Sequence, residues 1–217
     1  MASVVDIVNL ALSHLGDAAQ VTAISPPDGT TQASHGGRFY PIARDLMLEA
    51  HPWSFATVRV PLAQITGASQ PEWAFSYALP SKYLRGLAVL APDAHSDAGS
   101  QPYKVEAVLA NGGRVLYTNV ERATLRYIQL IEDTTKFTPG FVTALARLLA
   151  SYLAGPIIKG DVGAAVSKAQ MQIWVAELGH AKDMDSDVGH SNEYRDRVPD
   201  AIRARGGHGA RGDRAWR

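Results

Sequence analysis

The hydrophobic period of this chain changes twice, and nothing else in the sequence constrains its fold as tightly. Up to His51 the apolar residues recur at helical spacing. From Trp53 they alternate, and at Thr138 the helical spacing returns. Val4, Ile7, Val8, Ala11, Leu12 and Leu15 form a first stripe. Ser3 stands in the capping position with Asp6 three residues on, and Gly16 stands where a glycine ends a helix. Ser25-Pro26-Pro27-Asp28-Gly29 is a loop within 17–29. A second stripe, Phe39, Ile42, Ala43, Leu46, Met47 and Ala50, spans about 30–50. Pro41 inside it predicts a kink or a broken start, and His51-Pro52 closes it. Ala56, Val58, Val60 and Leu62, then Trp73, Phe75, Tyr77 and Leu79, then Tyr103, Val105, Ala107 and Leu109 alternate with other residues. Asn111-Gly112-Gly113 is a hairpin turn leading to Val115 and Tyr117, and 123–130 is a further strand. About six short strands lie between 53 and 130, and their short connections favour antiparallel pairing. Thr138-Pro139 opens a third helix with Phe141, Leu145, Leu148, Leu149 and Tyr152 on its stripe, Gly155-Pro156 is expected to break it, and Gly160-Asp161 begins a fourth. The expected fold class is α+β: a helical bundle of two N-terminal and two C-terminal helices (1–52 and 133–182), an inserted antiparallel β subdomain (53–132) and an extended C-terminal arm (183–217).

The arm is set apart by composition. Residues 183–193 carry Asp183, Asp185, Asp187 and Glu193 without Lys or Arg. Residues 195–217 carry arginines at 195, 197, 203, 205, 211, 214 and 217. Its few sizeable hydrophobes do not repay its ordering entropy, so the arm is expected to dock on another chain. Tyr194, Ile202 and Trp216 are its candidate anchors. Arg203, Arg205, Arg211 and Arg214 are candidate partners for carboxylates. Arg205-Gly206-Gly207-His208-Gly209-Ala210-Arg211-Gly212 also has the form of an RGG-type RNA-binding segment, which keeps a nucleic-acid-binding module as the alternative. With 21 basic and 21 acidic residues, a generally basic coat is absent. Neutrality also leaves self-association unopposed.

Catalytic and metal chemistry find little support. The chain has no cysteine, which removes disulfides, thiolate metal sites and cysteine nucleophiles. Asp93-His95-Asp97 could hold a metal but is more simply a solvated loop, and His14, His35 and His51 lack ligand spacing. There is no Gly-x-Ser-x-Gly elbow. Gly160 is followed by Asp161, which would repel phosphate, and the glutamates show no defined pairing. No enzyme activity and no cofactor are expected. No apolar run reaches the roughly 18 residues of a membrane span, and the first residues lack a basic signal-peptide region. A soluble protein of a reducing compartment is expected. Trp53, Trp73 and Trp174 are core candidates.

Particular words of the sequence carry a resemblance. Tyr40-Pro41-Ile42-Ala43-Arg44-Asp45 leads into His51-Pro52-Trp53-Ser54-Phe55-Ala56. Then come Tyr77-Ala78-Leu79-Pro80-Ser81, Leu84-Arg85, Leu125-Arg126-Tyr127-Ile128 and the helix from Phe141 to Leu148. Over about 1–180 the chain resembles the tail tubular protein A family of short-tailed bacteriophages. The resemblance implies a structural head-to-tail adaptor in the virion, made in the host cytoplasm. It implies a ring, usually of twelve copies, that binds the portal protein and the tail nozzle, with the tail fibre a further possible partner. Double-stranded DNA would pass through the channel without sequence recognition. The family has no catalytic residues to transfer, and its shared words mark packing: Trp53 and Phe55 at the helix-to-sheet corner, Pro80 at a strand end. The arm lies outside the resemblance.

Overall fold

The computed structural model describes residues 2–18, 20–66, 70–94, 97–107 and 113–188. It is a mixed fold of four helices and two small antiparallel sheets among those residues. Helix α1 (Val4–Ser13) starts in a full capping box: the Asp6 amide donates to Ser3 Oγ at 3.1 Å, and the Ser3 amide donates to Asp6 Oδ2 at 2.8 Å. Gly16 takes a φ of +74°, the left-handed turn that ends such a helix. The loop that follows is pinned by Asp28. Its carboxylate accepts from the hydroxyls and amides of Thr30 and Thr22, which holds it well below the usual carboxylate range.

Helix α2 (Thr31–Glu49) is capped by Thr30 and contains Pro41 without a break. Pro41 lies on the exposed side, where the loss of one backbone bond is tolerated. Helix α3 (Pro139–Ile158) begins at the expected Thr138 cap. Its expected break at Gly155-Pro156 does not occur. The Lys159 amide still donates to the Gly155 carbonyl at 3.0 Å, and the chain turns only at Lys159 and Gly160, with φ of 63° and 58°. Helix α4 (Gly160–Val188) then runs antiparallel to α3, its main packing partner. Residues 183–188, expected at the start of the arm, are its last turns. The stripe Leu178, Ala181 and Asp185 continues at helical spacing, and Asp185 has a fixed partner described below.

Strands β1 (Thr57–Pro61), β6 (Thr124–Gln129) and β3 (Tyr83–Leu90) form one sheet in the order β1-β6-β3. Strands β2 (Phe75–Ala78), β5 (Arg114–Thr118) and β4 (Tyr103–Ala107) form a second in the order β2-β5-β4. The alternation of side chains divides the first sheet between two cores. Val58, Val60, Val89, Leu125 and Tyr127 join Tyr77 and Leu116 in a core shared with the second sheet. Ile128, on the opposite face, joins the helical core with Leu12, Met47, Trp53 and Phe141.

Helix α3 lies at the centre of that helical core, packing against α1, α2 and α4. Buried residues sit on most of its circumference, from Phe141 and Ala144 through Leu149 and Ala150 to Leu153. Contrary to the sequence expectation, this helix is long and apolar enough to cross a membrane. Its apolar residues are spent on packing, with 56% of its most apolar 18-residue stretch buried.

Candidate functional site

The segment His51–Ala56 stands at the centre of an aromatic cluster between α2 and β1. Trp53 is fully buried, and its indole N–H donates to the Met47 carbonyl at 2.7 Å. Its ring meets Phe141 edge-on at 5.0 Å between centroids, and Phe55 meets Phe141 at 5.1 Å. Phe137 completes the cluster at 4.7 Å from Phe141. The chain leaves α2 around this aromatic anchor and enters β1, so the corner sets the angle between helices and sheet.

A carboxylate from the far end of the chain closes the corner. Asp185, buried on α4, accepts from the Ser54 amide at 2.9 Å and from the Ser54 hydroxyl at 2.7 Å. His51 Nε2 lies 3.4 Å from Oδ2, the same oxygen that accepts the Ser54 amide. Ser, His and Asp thus meet, but in an order unsuited to nucleophilic catalysis. Asp185 stands between the other two, and the Ser54 proton is given to the carboxylate rather than to the imidazole. Burial lowers the His51 pKa, while the Asp185 charge pulls it back up. The group works as a clamp that ties the end of α4 to the start of the β region. Sequence reasoning placed His51 at the end of the second helix, and His51 does follow α2, with its ring 4.9 Å from that of Trp53. It missed Asp185, whose only sequence signal is an acidic residue on the apolar stripe of α4.

Two further polar clusters have structural partners. Asp97 accepts from Arg59 at 3.0 Å and pairs with Arg126, two arginines placed directly opposite each other on β1 and β6. One carboxylate thus offsets a like-charge cross-strand pair, and Asp97 is committed to that task rather than to a metal. His95 lies outside the described residues, and among the described residues no cluster could hold a metal ion. Gln170 of α4 donates to the His14 carbonyl at 2.9 Å and accepts from Arg147 at 3.2 Å, joining α1, α3 and α4. His14 Nε2 is buried without a hydrogen-bond partner, and burial first, then the Arg147 charge, lowers its pKa.

An open cavity of about 820 Å³ lies between the start of α1, the 22–27 loop and α2. Tyr40 and Arg44 line it, but the Arg44 guanidinium is held by Asp45 at 2.8 Å. The Tyr40 hydroxyl is buried, its pKa pushed up to about 12, so it does not titrate near neutral pH. The arm residues Tyr194, Ile202, Arg203, Arg205, Arg211, Arg214 and Trp216 all lie outside the described residues. No family model matches the chain, and no curated protein matches it.

Proposed function

We propose that the chain is a structural head-to-tail adaptor of a short-tailed bacteriophage, forming a ring that joins the portal to the tail nozzle. The observation that carries this reading is where the words of the resemblance fall. His51–Ala56 is the corner built on buried Trp53 and Ala56, Leu125–Ile128 lies in the central strand β6, and Pro80 follows β2. These are positions at which a fold is fixed, so the likeness concerns architecture rather than a few surface residues. In this reading the four helices are a bundle that builds the ring wall. The strands between 53 and 132 are an inserted β subdomain that reaches toward portal, nozzle or fibre. The arm docks on the portal or on an adjacent copy through Tyr194, Ile202 and Trp216, with Arg203, Arg205, Arg211 and Arg214 pairing with carboxylates.

A ring subunit presents two unlike faces, one to each neighbour, and such heterologous contacts close into cyclic symmetry. A lumen that lets DNA slide works best without strong phosphate clamps, and a net charge of zero suits that task. The test is a negative-stain image of the purified protein mixed with the portal protein of the same virion. Rings seated on one face of the portal are expected. Free portal beside dispersed adaptor, together with salt-sensitive binding of RNA or DNA, would favour the nucleic-acid module instead.

A further inference from the structure

Helices α2 and α4 each carry exposed apolar side chains on a face that the other described residues leave uncovered. On α2, Ile42 and Leu46 are 55% and 40% exposed, beside exposed Pro41, Arg38 and Glu49. On α4, Val162 is 66% exposed, and Ala165, Lys168, Ala169 and Gln172 share its outward side. Building on the adaptor reading, we propose that the ring contact is a parallel pairing of α2 from one copy with α4 from the next.

The pattern of charges carries the proposal. Residues 38, 42, 45 and 49 on α2 and 161, 165, 168 and 172 on α4 have the same spacing of four, three and four. That is the seam spacing of two parallel helices packed side by side, in which like positions face each other. In that register Arg38 meets Asp161, Ile42 meets Ala165, Asp45 meets Lys168 and Glu49 meets Gln172. Both charged layers are complementary, and the large Ile42 faces the small Ala165. Pro41 and Leu46 flank the seam on one helix, Val162 and Ala169 on the other. Arg38, Asp161 and Lys168 make no ion pair among the described residues, and Asp45 keeps 41% of its side chain exposed beside Arg44.

Direction and height agree with a ring. Within one chain α2 and α4 both run toward the corner, where Ser54 meets Asp185, and Trp174 donates to the Met47 sulfur at 3.2 Å. Rotation about an axis along the bundle changes neither the direction nor the height of a helix. Neighbouring α2 and α4 are therefore parallel too. The Met47–Trp174 contact sets their levels about one helical turn from the charge-matched register, a shift that the tilt of packed helices accommodates.

The absence of cysteine makes the test clean. Ile42→Cys and Ala165→Cys are introduced separately and together in the full chain, and the concentrated proteins are oxidised. Neither single variant alone is expected to cross-link, an equal mixture of the two gives a dimer, and the double variant gives a ladder of higher oligomers. Arg38→Glu is expected to weaken self-association about fivefold, and adding Asp161→Arg to restore it. Cross-linking of Ile42→Cys with itself would mean a two-fold contact and overturn the proposal. A monomer at every concentration would also overturn it. Rings seen by electron microscopy without the mixed cross-link would overturn this interface and leave the adaptor reading standing. Loss of those rings on removal of residues 189–217 would assign the contact to the arm.

Discussion

Trp53 ties the helix-to-sheet corner together through one side chain. It has no exposed surface, an indole hydrogen bond to Met47 and a ring packed on Phe141. Trp53→Ala leaves a cavity the aromatic cluster cannot collapse into and is expected to cost about 3–5 kcal/mol, read as a lowered midpoint in urea. An unchanged midpoint would show that the corner does not depend on it. Two half-buried histidines, His14 and His51, contribute to the response to pH just below neutrality. Burial lowers the pKa of both His14 and His51. Arg147 lowers His14 further while Glu177 opposes the shift. At His51, Asp185 opposes the shift while Lys182 and Arg85 deepen it. A lowered pKa means that the unfolded chain binds the proton more readily, so stability is full above the ordinary histidine value of 6.5 and falls as the pH drops through and below it. Urea midpoints measured at pH 7.5 and pH 5.5 (round values on either side of about 6.5) should therefore differ. His14→Gln is expected to shrink the difference, since the Gln170 bond is to the backbone of residue 14 and survives the change. An equally steep loss in that variant would exclude His14 as a source.

At the scale of elements, the turn between α3 and α4 holds the clearest local conflict. Lys159 has φ 63° and ψ 170°, a region of backbone space that glycine occupies freely and a side chain does not. Lys159→Gly relieves that strain but gives the unfolded chain more freedom. The net expectation is a gain of about 1 kcal/mol, visible as a raised melting temperature, and a destabilised variant would contradict it. The next glycine position that matters is Gly163, where an added Cβ would stand 3.0 Å from the Ala154 carbonyl and push the helices apart.

Helix starts were legible in the sequence because their signals are local: Ser3 with Asp6, and Thr138 with Pro139. Alternation marked most of the strands. β3 escaped it because Tyr83–Leu90 is apolar on both faces, one toward each core, so no period of two shows. The division of six strands into two sheets was equally hidden, since pairing β1 with β6 joins segments far apart in the chain. Asp185 was read as part of an acidic arm because the partner that gives it meaning, Ser54, is 131 residues away.

Across the whole molecule, sequence-distant pairs hold the parts together. The Asp185 clamp ties the last helix to the β region, Gln170 ties it to α1, and Ile128 carries the first sheet into the helical core. Among the described residues, both cores are assembled from residues no later than Ala181, and the clamp uses Asp185. A chain stopped after Val188 therefore keeps every described residue of these clusters. It is expected to unfold in one cooperative transition, with a melting temperature within about 2 °C of the full chain, as judged by calorimetry. The residues removed include seven arginines and the candidate anchors Tyr194, Ile202 and Trp216. Under the adaptor reading the same truncation weakens attachment to the portal, because anchors of this kind carry most of the energy of an interface. The pair of measurements separates the two roles of the chain's end. A large fall in melting temperature would mean that residues 189–217 belong to the fold of the subunit, and unimpaired attachment would mean that the portal is held by the helices and sheets alone.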